Sequence, residues 1–190
     1  MPTTLIYLHG FMSSPLSEKA RETLDYVQRH RPDIQVRVPK LPNKPGEAVV
    51  TLDQLAADYA HQKVGVVGSS LGGYFTHYLA NKLGCHGVLV NPAVKPYDLL
   101  QHYLGPQTNP YTNERFTLVP DDMSELRKAE VIDLPHPEHY WVLLQTGDET
   151  LDYRQAADKY AAAKLTIEQG GNHRFANYQQ YLPEIINFLF

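Results

Sequence analysis

Residues 68–72 read Gly68-Ser69-Ser70-Leu71-Gly72, directly behind the apolar run Val64-Gly65-Val66-Val67. This is G-x-S-x-G at the end of an expected strand and the start of an expected helix. A serine on such a turn is held strained and exposed, with its hydroxyl free to attack a carbonyl carbon. The register has one solution, because centring the pattern on Ser69 would need glycines where Val67 and Leu71 stand. The nucleophile candidate is therefore Ser70.

A serine hydroxyl is a weak nucleophile at neutral pH. It needs a base within hydrogen-bond reach, and the base needs a third group to fix its tautomer. In open α/β sheets such groups collect beyond the carboxyl ends of the strands. The acid candidate is Asp148, which follows the strand-like Trp141–Gln145 and the turn glycine Gly147. Glu149 and Asp152 are its rivals; Asp148 lies nearest the strand end, and Asp152 fits the N-cap of the next helix. The base candidate is His173 in Gly170-Gly171-Asn172-His173, just after the last strand-like run. Two glycines let the backbone turn sharply there. The chain order Ser70, Asp148, His173 is the one in which partners follow a nucleophile elbow. Of the other histidines, His30, His61 and His77 sit in helical patterns and read as surface residues. His86, His102, His136 and His139 precede a strand or lie in a long interruption.

Acyl transfer also needs two backbone N–H groups aimed at the developing oxyanion. One is expected from Leu71, next to the nucleophile and at a helix N-terminus that favours negative charge. The other is expected from the loop after the first strand, Leu8-His9-Gly10-Phe11, where Phe11 N–H is the natural donor. His9 reads as an organiser of that loop rather than as a base. Competing motifs fail. Gly68 and Gly73 lead to Tyr74 rather than to the lysine of a phosphate-binding loop, and the dinucleotide fingerprint is absent. No metal-ligand spacing occurs, His136 and His139 standing alone in a proline-rich stretch, so neither metal nor cofactor is expected. The pair Glu149/Asp152 makes a poor glycosidase candidate.

These residues need a scaffold. Strand-like runs at Leu5–Leu8, Ile34–Val38, Val64–Val67, Gly87–Val90, Trp141–Gln145 and Leu165–Glu168 alternate with helical patterns. The helical patterns cover Ser17–Gln28, Leu52–His61, Leu71–Leu83, Tyr153–Ala163 and Gln179–Phe188. Near-continuous apolar strands separated by helices predict a parallel sheet covered on both faces. Residues 92–140 interrupt this rhythm with seven prolines, several tyrosines and one helical patch at Asp121–Glu130. So long an interruption is read as a cap or pocket wall over the carboxyl edge of the sheet. Leu99, Leu100, Leu104 and the tyrosines suggest an apolar wall, though core or dimer roles fit the same residues.

The chain has 190 residues, a net charge of −4 and a single cysteine, Cys85. A single domain over residues 1–190 is expected, with no internal disulfide. Nothing in the charge pattern resembles a nucleic-acid or acidic-lipid footprint. The start Met1-Pro2-Thr3-Thr4 lacks a basic leader, and no apolar run reaches the roughly 18 residues of a membrane span. A cytoplasmic protein with no membrane insertion is the expectation.

The chain resembles the small bacterial α/β-hydrolase-fold esterases of the YqiA type over nearly its whole length. The likeness is carried by Tyr7-Leu8-His9-Gly10-Phe11, Ser13-Ser14-Pro15, Gly68-Ser69-Ser70-Leu71-Gly72-Gly73-Tyr74, Asn91-Pro92-Ala93, Asn109-Pro110-Tyr111-Thr112, Gln145-Thr146-Gly147-Asp148-Glu149 and Gly170-Gly171-Asn172-His173. It implies a minimal α/β-hydrolase fold, its mostly parallel six-stranded sheet ordered 2-1-3-4-5-6 by chain position. No segment before Leu5 is read as the two extra strands of larger relatives. It also implies a serine esterase acting on short acyl esters, and on acyl thioesters among its small-molecule substrates, with Ser70, Asp148 and His173 as triad. Two other readings use the same residues. One is an acyl-CoA thioesterase or acyltransferase; the other is a non-catalytic ligand-binding protein on a hydrolase scaffold, disfavoured because all three residues are present.

Overall fold

Strand β1 (Thr3–Leu8) shows how the sequence makes the sheet. Successive side chains of a strand point to opposite faces. Leu5 and Tyr7 enter one apolar cluster, while Ile6 and Leu8 enter another. All four are buried, so both faces of this strand are covered, and each fully buried large apolar side chain is worth roughly 1.5–3 kcal/mol. The computed structural model describes residues 3–190; Met1 and Pro2, part of the leader reading above, lie outside the described residues.

The remaining elements are α1 (Glu18–His30), β2 (Ile34–Arg37), α2 (Pro45–Tyr59), β3 (Lys63–Ser69), α3 (Leu71–Leu83), β4 (His86–Val90), α4 (Pro96–Leu100), β5 (Gly105–Thr108), β6 (Arg115–Leu118), α5 (Pro120–Lys128), β7 (Tyr140–Gln145), α6 (Tyr153–Lys159), β8 (Lys164–Glu168) and α7 (Leu182–Leu189). Six of the strands form one parallel sheet in the order β2-β1-β3-β4-β7-β8. That is the expected 2-1-3-4-5-6 order, and the architecture is the α/β-hydrolase fold. Helices α1 and α7 lie on the face of Leu5 and Tyr7, and α2, α3, α5 and α6 on the other. Among the described residues no helix is long and apolar enough to cross a membrane.

The interruption at 92–140 contains more structure than its prolines suggested. A two-stranded antiparallel hairpin, β5–β6, pairs Gly105 with Leu118 and Thr108 with Arg115. Its tip is held by Asn109, whose Nδ2 donates to the Ser13 carbonyl at 3.0 Å and to Asn43 Oδ1 at 2.8 Å. The Phe11 ring packs edge-on against Tyr103 and Phe116. The insertion therefore sits over the loop that follows β1. Helix α5 is anchored beneath by Tyr74, whose hydroxyl donates to the Leu126 carbonyl.

One histidine reading needs correction. His77 is not a surface residue: it is 2% exposed, between the rings of Tyr140 and Tyr160. Helix α3 is the central helix of its layer and is covered almost all round, so helical periodicity alone could not mark an outer face for it. His139 packs on His136 and on the first residue of β4, His86, and among the described residues no group of three or more His, Cys, Asp or Glu side chains could hold a metal ion.

Burial drops the His77 pKa to about 3, against about 6.5 unfolded, so the unfolded chain binds the extra proton between those values. The stability tied to neutral His77 is complete above pH 6.5. It falls as the pH drops toward 3, at up to about 1.4 kcal/mol per pH unit. Urea midpoints between pH 7 and 4.5 should therefore fall more steeply for the wild type than for His77→Phe; parallel slopes would contradict this.

Candidate active site

The site is built where β3 runs into α3. The backbone of Ser70 has φ 58° and ψ −122°, a conformation that non-glycine residues rarely adopt and that costs of order 1–3 kcal/mol. Its neighbours hold it there. Ser70 N–H donates to the Val90 carbonyl, and the Ser70 carbonyl accepts from Ala93 N–H and from the first turn of α3. The turn closes only because α3 can approach β1: a Cβ on Gly72 would overlap the Leu8 carbonyl oxygen, which is rigid backbone. Gly72→Ala should thus destabilise the fold by roughly 3 kcal/mol or more. This is read as a drop in the urea midpoint; an unchanged midpoint would contradict the packing.

The three residues singled out by sequence meet at the carboxyl edge of the sheet. His173 Nε2 lies 3.0 Å from Ser70 Oγ, and His173 Nδ1 lies 2.8 and 3.0 Å from the two carboxylate oxygens of Asp148. An ionised carboxylate only accepts, so Nδ1 carries the proton and Nε2 accepts from the serine hydroxyl. The Asp148 side chain is 2% exposed and that of His173 is 21% exposed. Asp148 Oδ1 also accepts from the N–H groups of Thr150 and Leu151, both at 2.8 Å.

The rival acids do other work. Asp152 caps α6 by accepting from Arg154 N–H. Glu149 accepts from the backbone N–H of His173 at 2.9 Å, and that bond holds its carboxyl below the usual range. His9 organises its loop as expected. Leu41 N–H donates to its Nε2, its Nδ1–H donates to the Gly10 carbonyl, and burial lowers its pKa. Cys85, at the far end of α3, is no rival nucleophile, since burial pushes its thiol up to about 12.

Two buried residues, to which motif spacing gives no role, hold the histidine loop. Asn91 Nδ2 donates to the Asn172 and His173 carbonyls, while its Oδ1 accepts from Gln145 N–H. Gln145 Oε1 accepts from the N–H groups of Asn172 and Ala176. Its Nε2 donates to Glu168 and to the Ala176 carbonyl. Gly171, at φ 74°, passes so close that a Cβ would overlap the Gln145 amide. The available signal was a polar residue just after one apolar strand, β4, and at the end of another, β7, next to the expected site.

A family model matches residues 4–190. The chain belongs to UPF0227, described as an uncharacterised protein family. The YqiA-type α/β-hydrolase resemblance read from the sequence is thereby borne out. Solved structures share the fold. This UPF0227 chain is similar to alpha/beta hydrolase domain-containing protein 10 from mouse, at 16% identity and a TM-score of 0.72 over 97% of this chain and 87% of that one. It is similar to Est1E from Butyrivibrio proteoclasticus with ferulic acid bound, at 12% identity and 0.69 over 98% and 87%. The esterase Pf2001 from Pyrococcus furiosus matches at 15% identity and 0.65 over 99% and 80%.

In the UPF0227 chain two cavities meet at Ser70 and His173. One, of about 150 Å³, is apolar and lined by Phe11, Leu71, Pro96, Leu99, Leu100 and Tyr103. Leu104, read from sequence as part of the same wall, is 40% exposed and lies outside that lining. The other, of about 490 Å³, is polar and opens between the loop after β1, the start of α1 and Arg174. A larger cavity of about 730 Å³ lies beyond Ala93 and Leu99 but touches neither Ser70 nor His173, so it is not where bonds would change. Phe11 lines both of the cavities that meet at Ser70, and no protein acceptor takes its N–H among the described residues. Leu71 opens α3, so its N–H has no carbonyl one turn earlier to bond. A Cβ on Gly10 would lie 3.5 Å from Ser70 Cβ, which shows how closely the Phe11 loop approaches the serine.

Proposed function

We propose that this protein is a single-domain serine hydrolase that cleaves short acyl esters through an acyl-enzyme on Ser70. The observation that carries the reading is the hydrogen-bonded chain from Ser70 Oγ through His173 to Asp148, at the junction of two cavities. The esterases among the proteins that share the fold, one of them with ferulic acid bound, support it.

The hydrogen-bonded chain supports the following sequence of steps. Ser70 Oγ attacks the ester carbonyl carbon as His173 Nε2 takes its proton. Asp148 stabilises the imidazolium and keeps Nδ1 protonated. The carbonyl oxygen becomes an oxyanion held by the N–H groups of Phe11 and Leu71. The carbon–oxygen bond to the alcohol then breaks, and His173 returns the proton to that oxygen. Water, deprotonated by the same nitrogen, attacks the acyl-enzyme and releases the acid and Ser70. The strained backbone of Ser70 keeps its hydroxyl presented, and residues 92–140 act as a cap that walls the apolar cavity.

A cavity of about 150 Å³ holds a group about the size of benzene, so acyl chains of a few carbons fit it best. Purified protein should hydrolyse p-nitrophenyl butyrate with a higher kcat/KM than p-nitrophenyl laurate. Absence of turnover across the acyl series would refute the esterase reading; a preference for laurate would refute the placement of the acyl chain.

A further inference from the structure

The polar cleft beside Ser70 carries an unusual charge for this chain. The protein is acidic overall, at −4, yet Lys19, Arg21 and Arg174 line the cleft together with only one carboxylate, Glu18. Among the described residues none of these three cations lies within ion-pair distance of a carboxylate. Lys19 Nζ donates to the Arg174 carbonyl at 2.7 Å, which ties the start of α1 to the residue after His173. Burial lowers the Lys19 pKa, and Glu18 and Glu22 oppose that shift. Arg21 and Arg174 are exposed.

The position of this charge relative to the reaction gives it meaning. An ester bound at Ser70 must send its acyl part and its alcohol part in different directions. The apolar cavity suits the acyl chain, which leaves the polar cleft for the alcohol part, and His173 lines that cleft where it must protonate the departing oxygen. We infer that Lys19, Arg21 and Arg174 form a subsite for a carboxylate or phosphate carried by the leaving group of the ester. The inference rests on the esterase reading and adds the class of alcohol. Anionic esters are drawn into a cleft whose field is positive, and the attraction weakens with salt.

The test uses the full chain and three butyrate esters with similar leaving groups: those of 3-hydroxybenzamide, 3-hydroxybenzoate and 3-hydroxyphenylphosphonate. A fourth ester, monophenyl succinate, puts the negative charge on the acyl side. Each exposed ion pair is worth about a two- to five-fold preference, so kcat/KM for the anionic leaving groups should exceed that for the amide by roughly tenfold at low salt. The preference should lie mostly in KM and shrink as salt is added. A larger preference for the phosphonate assigns the subsite to phosphate, and a larger one for the benzoate assigns it to a carboxylate.

In Arg21→Glu and Arg174→Glu the anion-to-amide ratio should fall toward one. The amide ester measured on each variant is the internal reference, so a general loss of activity does not hide the result. A wild-type ratio near one, a ratio that survives both substitutions, or a preference for monophenyl succinate alone overturns the subsite and leaves the esterase standing. No turnover of any ester overturns both.

Discussion

Ser70→Ala should lower kcat on p-nitrophenyl butyrate by about 10⁴-fold or more, to the residual rate that binding and the proposed oxyanion donors alone can support. The size of the effect follows from the chemistry. Without Oγ there is no acyl-enzyme, and His173 Nε2 loses the hydroxyl that lies 3.0 Å away. The substitution removes one half-buried oxygen from a backbone fixed by Val90, Ala93 and the first turn of α3, so the fold should survive it. Matched circular dichroism spectra and urea midpoints, set beside the kinetics, separate loss of chemistry from loss of structure. A variant that keeps more than a tenth of the wild-type kcat would show that another group attacks the ester.

Asp148→Asn should be nearly as damaging, at about 10⁴-fold in kcat, although it changes only one atom type. In the wild type Oδ1 accepts from Thr150 and Leu151 N–H, and both carboxylate oxygens face His173 Nδ1. An asparagine keeps its oxygen on those two backbone donors and turns its NH₂ toward Nδ1. The imidazole must then accept at Nδ1 and carry its proton on Nε2, the nitrogen that should take the proton from Ser70. The base is in place but in the wrong tautomer. Steady-state kinetics of Asp148→Asn beside Glu149→Gln make the comparison. Glu149 hydrogen-bonds the backbone N–H of His173 and not its ring, so its variant should lose far less. Equal losses in the two would contradict the assignment of the acid.

The sheet and its helices were legible in the sequence wherever burial wrote a pattern. The strand ends fell within a residue or two, and Leu71–Leu83 was read with its observed bounds, because Gly84 in the left-handed conformation ends that helix sharply. Errors arose where a single residue overrides periodicity. The last helical pattern, read as continuous from Gln179, divides into a 3₁₀ turn over Tyr178–Tyr181 and α7. Pro183 has no N–H, and its ring would clash with the carbonyl four residues earlier in an unbroken helix. Helix α2 begins at Pro45, seven residues before the expected Leu52, because proline at a first helical position starts a helix ahead of its apolar periodicity. The β5–β6 hairpin was missed because Pro106 argues against a strand, and only a two-stranded ribbon with free edges tolerates it.

The candidate site was more legible than its support. Ser70, Asp148 and His173 announced themselves by motif and by position after strands, and the structure brings their side chains into hydrogen-bond contact. Asn91 and Gln145, which hold the histidine loop, form their bonds only once β4, β7 and residues 172–176 have met, and no spacing along one strand encodes that meeting. His77 was misread for a related reason. The ring partners that bury it, Tyr140 and Tyr160, lie more than sixty residues away along the chain.

The central claim is that Ser70 is the nucleophile, and covalent trapping tests it most directly. Purified protein treated with a fluorophosphonate should gain one adduct by intact mass, and peptide mapping should place it on Ser70. Prior reaction with a short acyl ester should slow the labelling, and Ser70→Ala should take up none. An adduct on any other residue, or undiminished labelling of Ser70→Ala, would contradict the account.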